Sequence, residues 1–86
     1  MIMPLDLIAI SATGLQLRAV REAALLTQRD FASEVGISLE TLCRLEQKNL
    51  PLKSTSLTTR KKIAQALLKL GVRLTETGWE KLEQKQ

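Results

Sequence analysis

The chain has no histidine and no tyrosine. It has one cysteine (Cys43), two prolines (Pro4 and Pro51), four glycines (Gly14, Gly36, Gly71 and Gly78) and two aromatic residues (Phe31 and Trp79). Without histidine, a Ser-His-Asp triad or a His-ligated metal site cannot be built. One cysteine forms neither an internal disulfide nor a zinc cluster. So few glycines and prolines do not punctuate a many-turned β domain. Two aromatics leave the core to aliphatic side chains, which suits short packed helices. The sequence also lacks a glycine-rich phosphate loop, a signal peptide, a membrane-spanning run, a low-complexity tract and an internal repeat. The expectation is therefore no enzyme, no cofactor, no metal, no membrane partner and a cytoplasmic location.

What is present is 86 residues, 44% of them hydrophobic, with a formal net charge of +4. A chain this short buries about 60% of its unfolded surface, so it is marginal unless very regular or oligomeric. The charge is uneven. Between Arg44 and Arg73 lie eight basic residues (Arg44, Lys48, Lys53, Arg60, Lys61, Lys62, Lys69 and Arg73) and one acidic residue, Glu46. That window carries +7 and the rest of the chain −3. A one-sided basic window is what phosphate binding requires; a solvated helix face is the bland reading of the same residues.

The chain is organised around residues 27–47. Thr27 and Asp30 have capping-box spacing, and Phe31, Ala32 and Val35 share one helical face. Gly36 follows, where a helix stop needs a residue that tolerates positive φ. Ile37 is apolar inside the turn, Ser38 can cap a second helix, and Leu42 and Leu45 form its buried stripe. The spacing predicts helices over 28–35 and 39–47, with one face of the second left free. A helix over 15–24 should turn Leu17, Val20 and Ala24 inward. After the loop around Pro51, another should start between Ser56 and Thr59 and run to Leu70, stopped by Gly71. Its Ile63, Leu67 and Leu70 should face the core, with Leu68 and Ala64 as a second apolar edge. Residues 1–13 form an apolar arm that pattern alone leaves open between strand and helix. It packs on this domain or on a second subunit, unless it is a partly disordered start. Residues 72–75 alternate like a short strand. Thr77-Gly78-Trp79-Glu80 has capping-box spacing and should open a last helix from Gly78 to about Gln84. The resulting division is an arm (1–13), a central domain (14–72) and a C-terminal extension (73–86).

The central stretch resembles the helix-turn-helix of the Cro and lambda-repressor type, the XRE family. Gln28 opens it, Ala32 sits where the two helices touch, Gly36 makes the turn, and Ile37, Leu42 and Leu45 are the buried positions. Residues 17–21 resemble the family's first helix and residues 63–67 its fourth, so the likeness spans about 15–72. Leu25 stands where the family usually has glycine. The resemblance implies an all-α, compact four- to five-helix domain, with short strand-like arms at the ends. It also implies double-stranded DNA as partner, with helix 39–47 in the major groove. The base-contacting candidates are then Ser38, Leu39, Glu40, Thr41, Cys43, Arg44 and Gln47. Arg44 can make a bidentate pair with guanine, worth about 1–3 kcal/mol of discrimination. Glu40 can accept from cytosine N4, Thr41 or Leu39 can touch a thymine methyl, and Gln47 can read adenine or hold a phosphate. The phosphate candidates are Gln28, by carry-over from the family, with Arg29, Lys48, Lys53, Ser54 and Thr55. The family also implies an ion pair between Arg21 and Glu46. Cys43 is either an oxidant sensor on the reading face or a small, semi-buried contact.

Two functions follow as expectations. One is a small transcriptional regulator, a repressor acting as a homodimer on a near-palindromic site, with Leu68, Trp79 and Leu82 as candidate dimer contacts. The alternative reading of Trp79 is that it closes the end of the monomer core. The other is an antitoxin-type module that grips a partner protein, such as a toxin, through its apolar ends. No effector pocket is evident from the sequence.

Overall fold

Hydroxyl caps and left-handed stops set the helix boundaries. The computed structural model describes residues 4–82, with α1 at Gly14–Ala23, α2 at Gln28–Val35, α3 at Leu39–Gln47 and α4 at Leu57–Leu70. Thr27 accepts from the Asp30 N–H at 3.1 Å, Ser38 from Thr41 at 3.1 Å, and Ser56 from Thr59 at 3.2 Å. Each such cap is worth about 1 kcal/mol. Gly36 and Gly71 end α2 and α4 at φ 87° and 73°. No glycine follows α1. Leu25 takes φ 60° in its place, with its side chain 92% exposed.

The C-terminal extension differs from expectation. No helix opens at Gly78. Instead β1, Val72–Leu74, pairs antiparallel with β2, Trp79–Lys81, placing Leu74 opposite Trp79 and Arg73 opposite Glu80. The Thr75 N–H donates to the Gly78 carbonyl at 2.8 Å, and the Gly78 N–H to Thr75 Oγ1 at 3.1 Å. The capping-box spacing is a local signal, and the strand wins because it offers more. Glu80 forms an ion pair with Arg73 across the ladder, and Trp79 packs against the core. The part of the expected helix beyond Leu82 lies outside the described residues, as do residues 1–3 of the arm.

The rest of the arm packs on the molecule's own core. Residues Pro4–Leu7 form a 3-10 turn that packs chiefly against α4, with Leu7 buried. Ile8 bridges to Leu74 in parallel, and the Ala9 N–H donates to the Leu74 carbonyl at 3.1 Å. One cluster therefore joins Leu7 and Ala12 to Leu17, Val20, Phe31, Leu42, Leu45, Leu52, Ile63, Leu67 and Leu74. Leu70, expected to face the core, is 40% exposed, because α4 reaches its end there and turns at Gly71. The second apolar edge does not form either: Ala64 is fully buried, while Leu68 points outward at 45% exposure. Among the described residues no helix is long and apolar enough to cross a membrane.

Candidate functional site

The inner face of α3 is fixed first. Its buried residues are Leu42, Leu45 and, unusually, the carboxylate of Glu46. A buried charge persists only when paired and hydrogen-bonded. Arg21 on α1 supplies the pair side-on, with Nε 2.9 Å from Glu46 Oε2 and Nη2 2.9 Å from Oε1. The two side chains are 11% and 2% exposed. Arg21 Nη1 also donates to the Leu26 carbonyl at 2.9 Å, which ties the turn after α1 to the same group. The hydrogen bond to Glu46 raises the Arg21 pKa; burial opposes it, and the Glu46 charge adds to the rise.

Gln28, at the first turn of α2, completes this cluster. Its Nε2 donates to Glu46 Oε1 at 3.1 Å, and the Cys43 thiol donates to its Oε1 at 3.4 Å. The side chain expected to meet a phosphate is thus engaged inward, where it joins α2 to α3. Cys43 accordingly stands half-buried between the two helices instead of at the centre of an outward surface. Arg18, Arg21, Thr27, Gln28, Glu46 and Gln47 line an open hollow of about 490 Å³ above this cluster.

The outer face of α3 remains uncovered. Leu39, Glu40, Arg44 and Gln47 are exposed, as is Lys48 just past the helix end. Arg44 Nη2 lies 3.3 Å from Glu40 Oε1, with side chains 59% and 83% exposed. Such an exposed i,i+4 pair contributes about 0.3–0.5 kcal/mol, so it yields readily to a competing acceptor. Ser38 and Thr41 are occupied at the N-terminus, their hydroxyls 2.7 Å apart.

The loop after α3 is fastened at several points. Asn49, at φ 47°, accepts from the Leu15 N–H at 3.1 Å. The Gly14 N–H donates to the Leu50 carbonyl at 2.9 Å, and the Leu52 N–H to that of Ala12 at 2.9 Å. Ser54 and Thr55 bond within their own turn in the free chain. Each hydroxyl donates to a carbonyl of its own 3-10 turn (Leu52–Ser54 and its flanks), to Pro51 and Leu52 respectively, both at 2.7 Å. Arg29, Lys48 and Lys53 stay exposed, and none is in an ion pair among the described residues.

Of the candidate dimer contacts, Trp79 and Leu82 pack against the chain's own core, and only Leu68 projects outward. Sequence reasoning missed Gly14, Gln16 and Asn49. The nearest signal was the Thr13–Gln16 spacing, whose Gln16 Oε1 accepts from the Thr13 N–H at 2.9 Å. No protein-family model matches the chain, and no curated protein or solved structure matches it either.

Proposed function

We propose that the protein is a sequence-specific double-stranded DNA-binding regulator of the lambda-repressor type, with α3 entering the major groove. The observation that carries this reading is the two-sidedness of α3. Its inner face is locked by Leu42, Leu45 and the Arg21–Glu46–Gln28 cluster, while its outer face offers Leu39, Glu40, Arg44 and Gln47 uncovered. Rigid support of this kind is what base readout needs. Arg44 leaves Glu40 to pair with guanine O6 and N7, and Glu40 then accepts from a neighbouring cytosine N4. Arg29, Lys48 and Lys53 flank the helix as phosphate contacts that set its register. The backbone N–H groups at the start of α2 take the role that the Gln28 side chain does not. A homodimer on a two-fold site would place two α3 helices about 34 Å apart. The mechanism is occlusion by binding, not catalysis.

The test is fluorescence anisotropy on the DNA upstream of the gene and on a scrambled duplex, for the protein and Arg44→Ala. The upstream duplex should bind more tightly, and Arg44→Ala should remove about 1–3 kcal/mol of that preference while leaving scrambled binding nearly unchanged. Equal binding of both duplexes, with or without Arg44, would overturn the reading and favour a protein partner instead.

A further inference from the structure

A second feature lies away from α3. Residues 5–10, the 3-10 turn at Leu52–Ser54 and the first turns of α4 enclose a hollow of about 190 Å³. Its lining is Leu5, Ile8, Ala9 and Ile10 on one side, with Lys53 and Arg60 on the other. Among the described residues no acidic side chain lines it. Arg60 Nε is shut off from solvent and has no hydrogen-bond partner among the described residues. Neither cation is in an ion pair among the described residues. A buried, unsatisfied guanidinium N–H is costly, and such groups in a folded protein call for an explanation. The chain itself shows what satisfies one: on Arg21, a carboxylate bonds Nε and Nη2 side by side at 2.9 Å each.

We infer that this hollow binds a small amphipathic carboxylate, its head on Arg60 and Lys53 and its short hydrocarbon chain against Leu5, Ile8, Ala9 and Ile10. The head takes Nε and Nη2 of Arg60 as Glu46 takes those of Arg21, and Lys53 adds a point charge. Because Nε has no solvent exposure, docking turns the guanidinium toward the hollow. A phosphate suits the site less well. It carries more charge and more acceptor oxygens than these two groups can meet, and the surplus would face four apolar side chains. The same reasoning requires a hydrocarbon tail: a bare anion leaves the apolar wall wet.

The experiment is a titration with hexanoate followed by amide 1H–15N spectra, without DNA. Saturable shifts are expected at Ile8, Ala9, Ile10, Lys53 and Arg60, with half-saturation in the millimolar range. Acetate, hexan-1-ol and inorganic phosphate at the same concentrations should produce none of them. Arg60→Met keeps the length of the side chain and removes the unpartnered group, so it should melt no lower than the parent and lose the hexanoate response. Arg60→Lys keeps the charge but not the two-point bond, and should weaken hexanoate about tenfold, the worth of one charge-assisted hydrogen bond. Equal shifts with hexan-1-ol or with phosphate, or a full response in Arg60→Met, would overturn the assignment.

Discussion

Gly14 is the residue whose identity matters most for its size. A Cβ built there would stand 1.8 Å from the Leu45 carbonyl oxygen and 2.4 Å from its carbon, backbone atoms that have no rotamer to yield. Alanine at this position should force α1 away from α3 and cost at least the about 1–3 kcal/mol typical of overpacking, read as a lower urea midpoint at unchanged slope. A gain from better helix propensity would contradict this. Arg21 is the second such residue. Arg21→Ala strands the Glu46 carboxylate and should cost about 3–5 kcal/mol in the same measurement. Replacing both partners by apolar residues, Arg21→Met with Glu46→Leu, should recover much of that loss. The sign of the pH dependence follows from the raised Arg21 pKa. Its contribution is fully present below the unfolded value and is lost only as pH rises through the higher folded value. The neutral and mildly alkaline range should therefore leave it intact. Carry-over from the family suggested the Arg21–Glu46 pairing before any geometry. Nothing suggested Gly14, because closeness of two backbones leaves no trace in periodicity.

At the level of elements, the helices and the strand at Val72–Leu74 were legible and its partner strand was not. Thr27, Ser38, Ser56, Gly36 and Gly71 act within a few residues of themselves, so their signals survive in the sequence. The fate of Thr77-Gly78-Trp79-Glu80 depends on Val72–Leu74 and on Gln16, which stands 59 and 62 residues before the two carbonyls it holds. Gln16 Nε2 donates to the Thr75 carbonyl at 2.7 Å and to that of Gly78 at 3.1 Å, while its Oε1 caps α1. Gln16→Ala should thus destabilise by about 1–3 kcal/mol and speed hydrogen exchange in the hairpin more than in α2. Slower or unchanged hairpin exchange would show that the strands hold without it. The turn after α1 offers the opposite change. Leu25 carries a left-handed backbone at a cost of about 1–2 kcal/mol and its side chain buries almost nothing. Leu25→Gly should raise the melting temperature, although glycine's freedom in the unfolded chain returns part of the gain.

Across the whole molecule, charge decides how the proposed DNA complex responds to salt. The +7 window was visible in composition, but its members differ in availability. Lys62 donates to the Gly36 carbonyl at 3.2 Å, Arg73 is paired with Glu80, and Arg44 leans on Glu40. Lys48 remains exposed just past the end of α3, and Lys53 in the turn that follows. Lys48→Ala should weaken upstream and scrambled duplexes alike and make the salt slope shallower by about 0.9, one phosphate contact. A loss confined to one duplex would make it a base reader instead. The candidate readers on α3 could be listed from the sequence because the helix register was clear. The inward roles of Gln28 and Cys43 could not, since each is settled by a partner on the other helix.

The bridge between Ile8 and Leu74 sets the order in which this chain can finish folding during its synthesis. The apolar arm is made before α4 and β1 and has no completed seat until Leu74 follows. Until then Leu7 and Ile8 are a sticky segment, open to chaperones and proteases. A pause before codon 74 would prolong that exposure; the same pause after Leu74 has emerged would not.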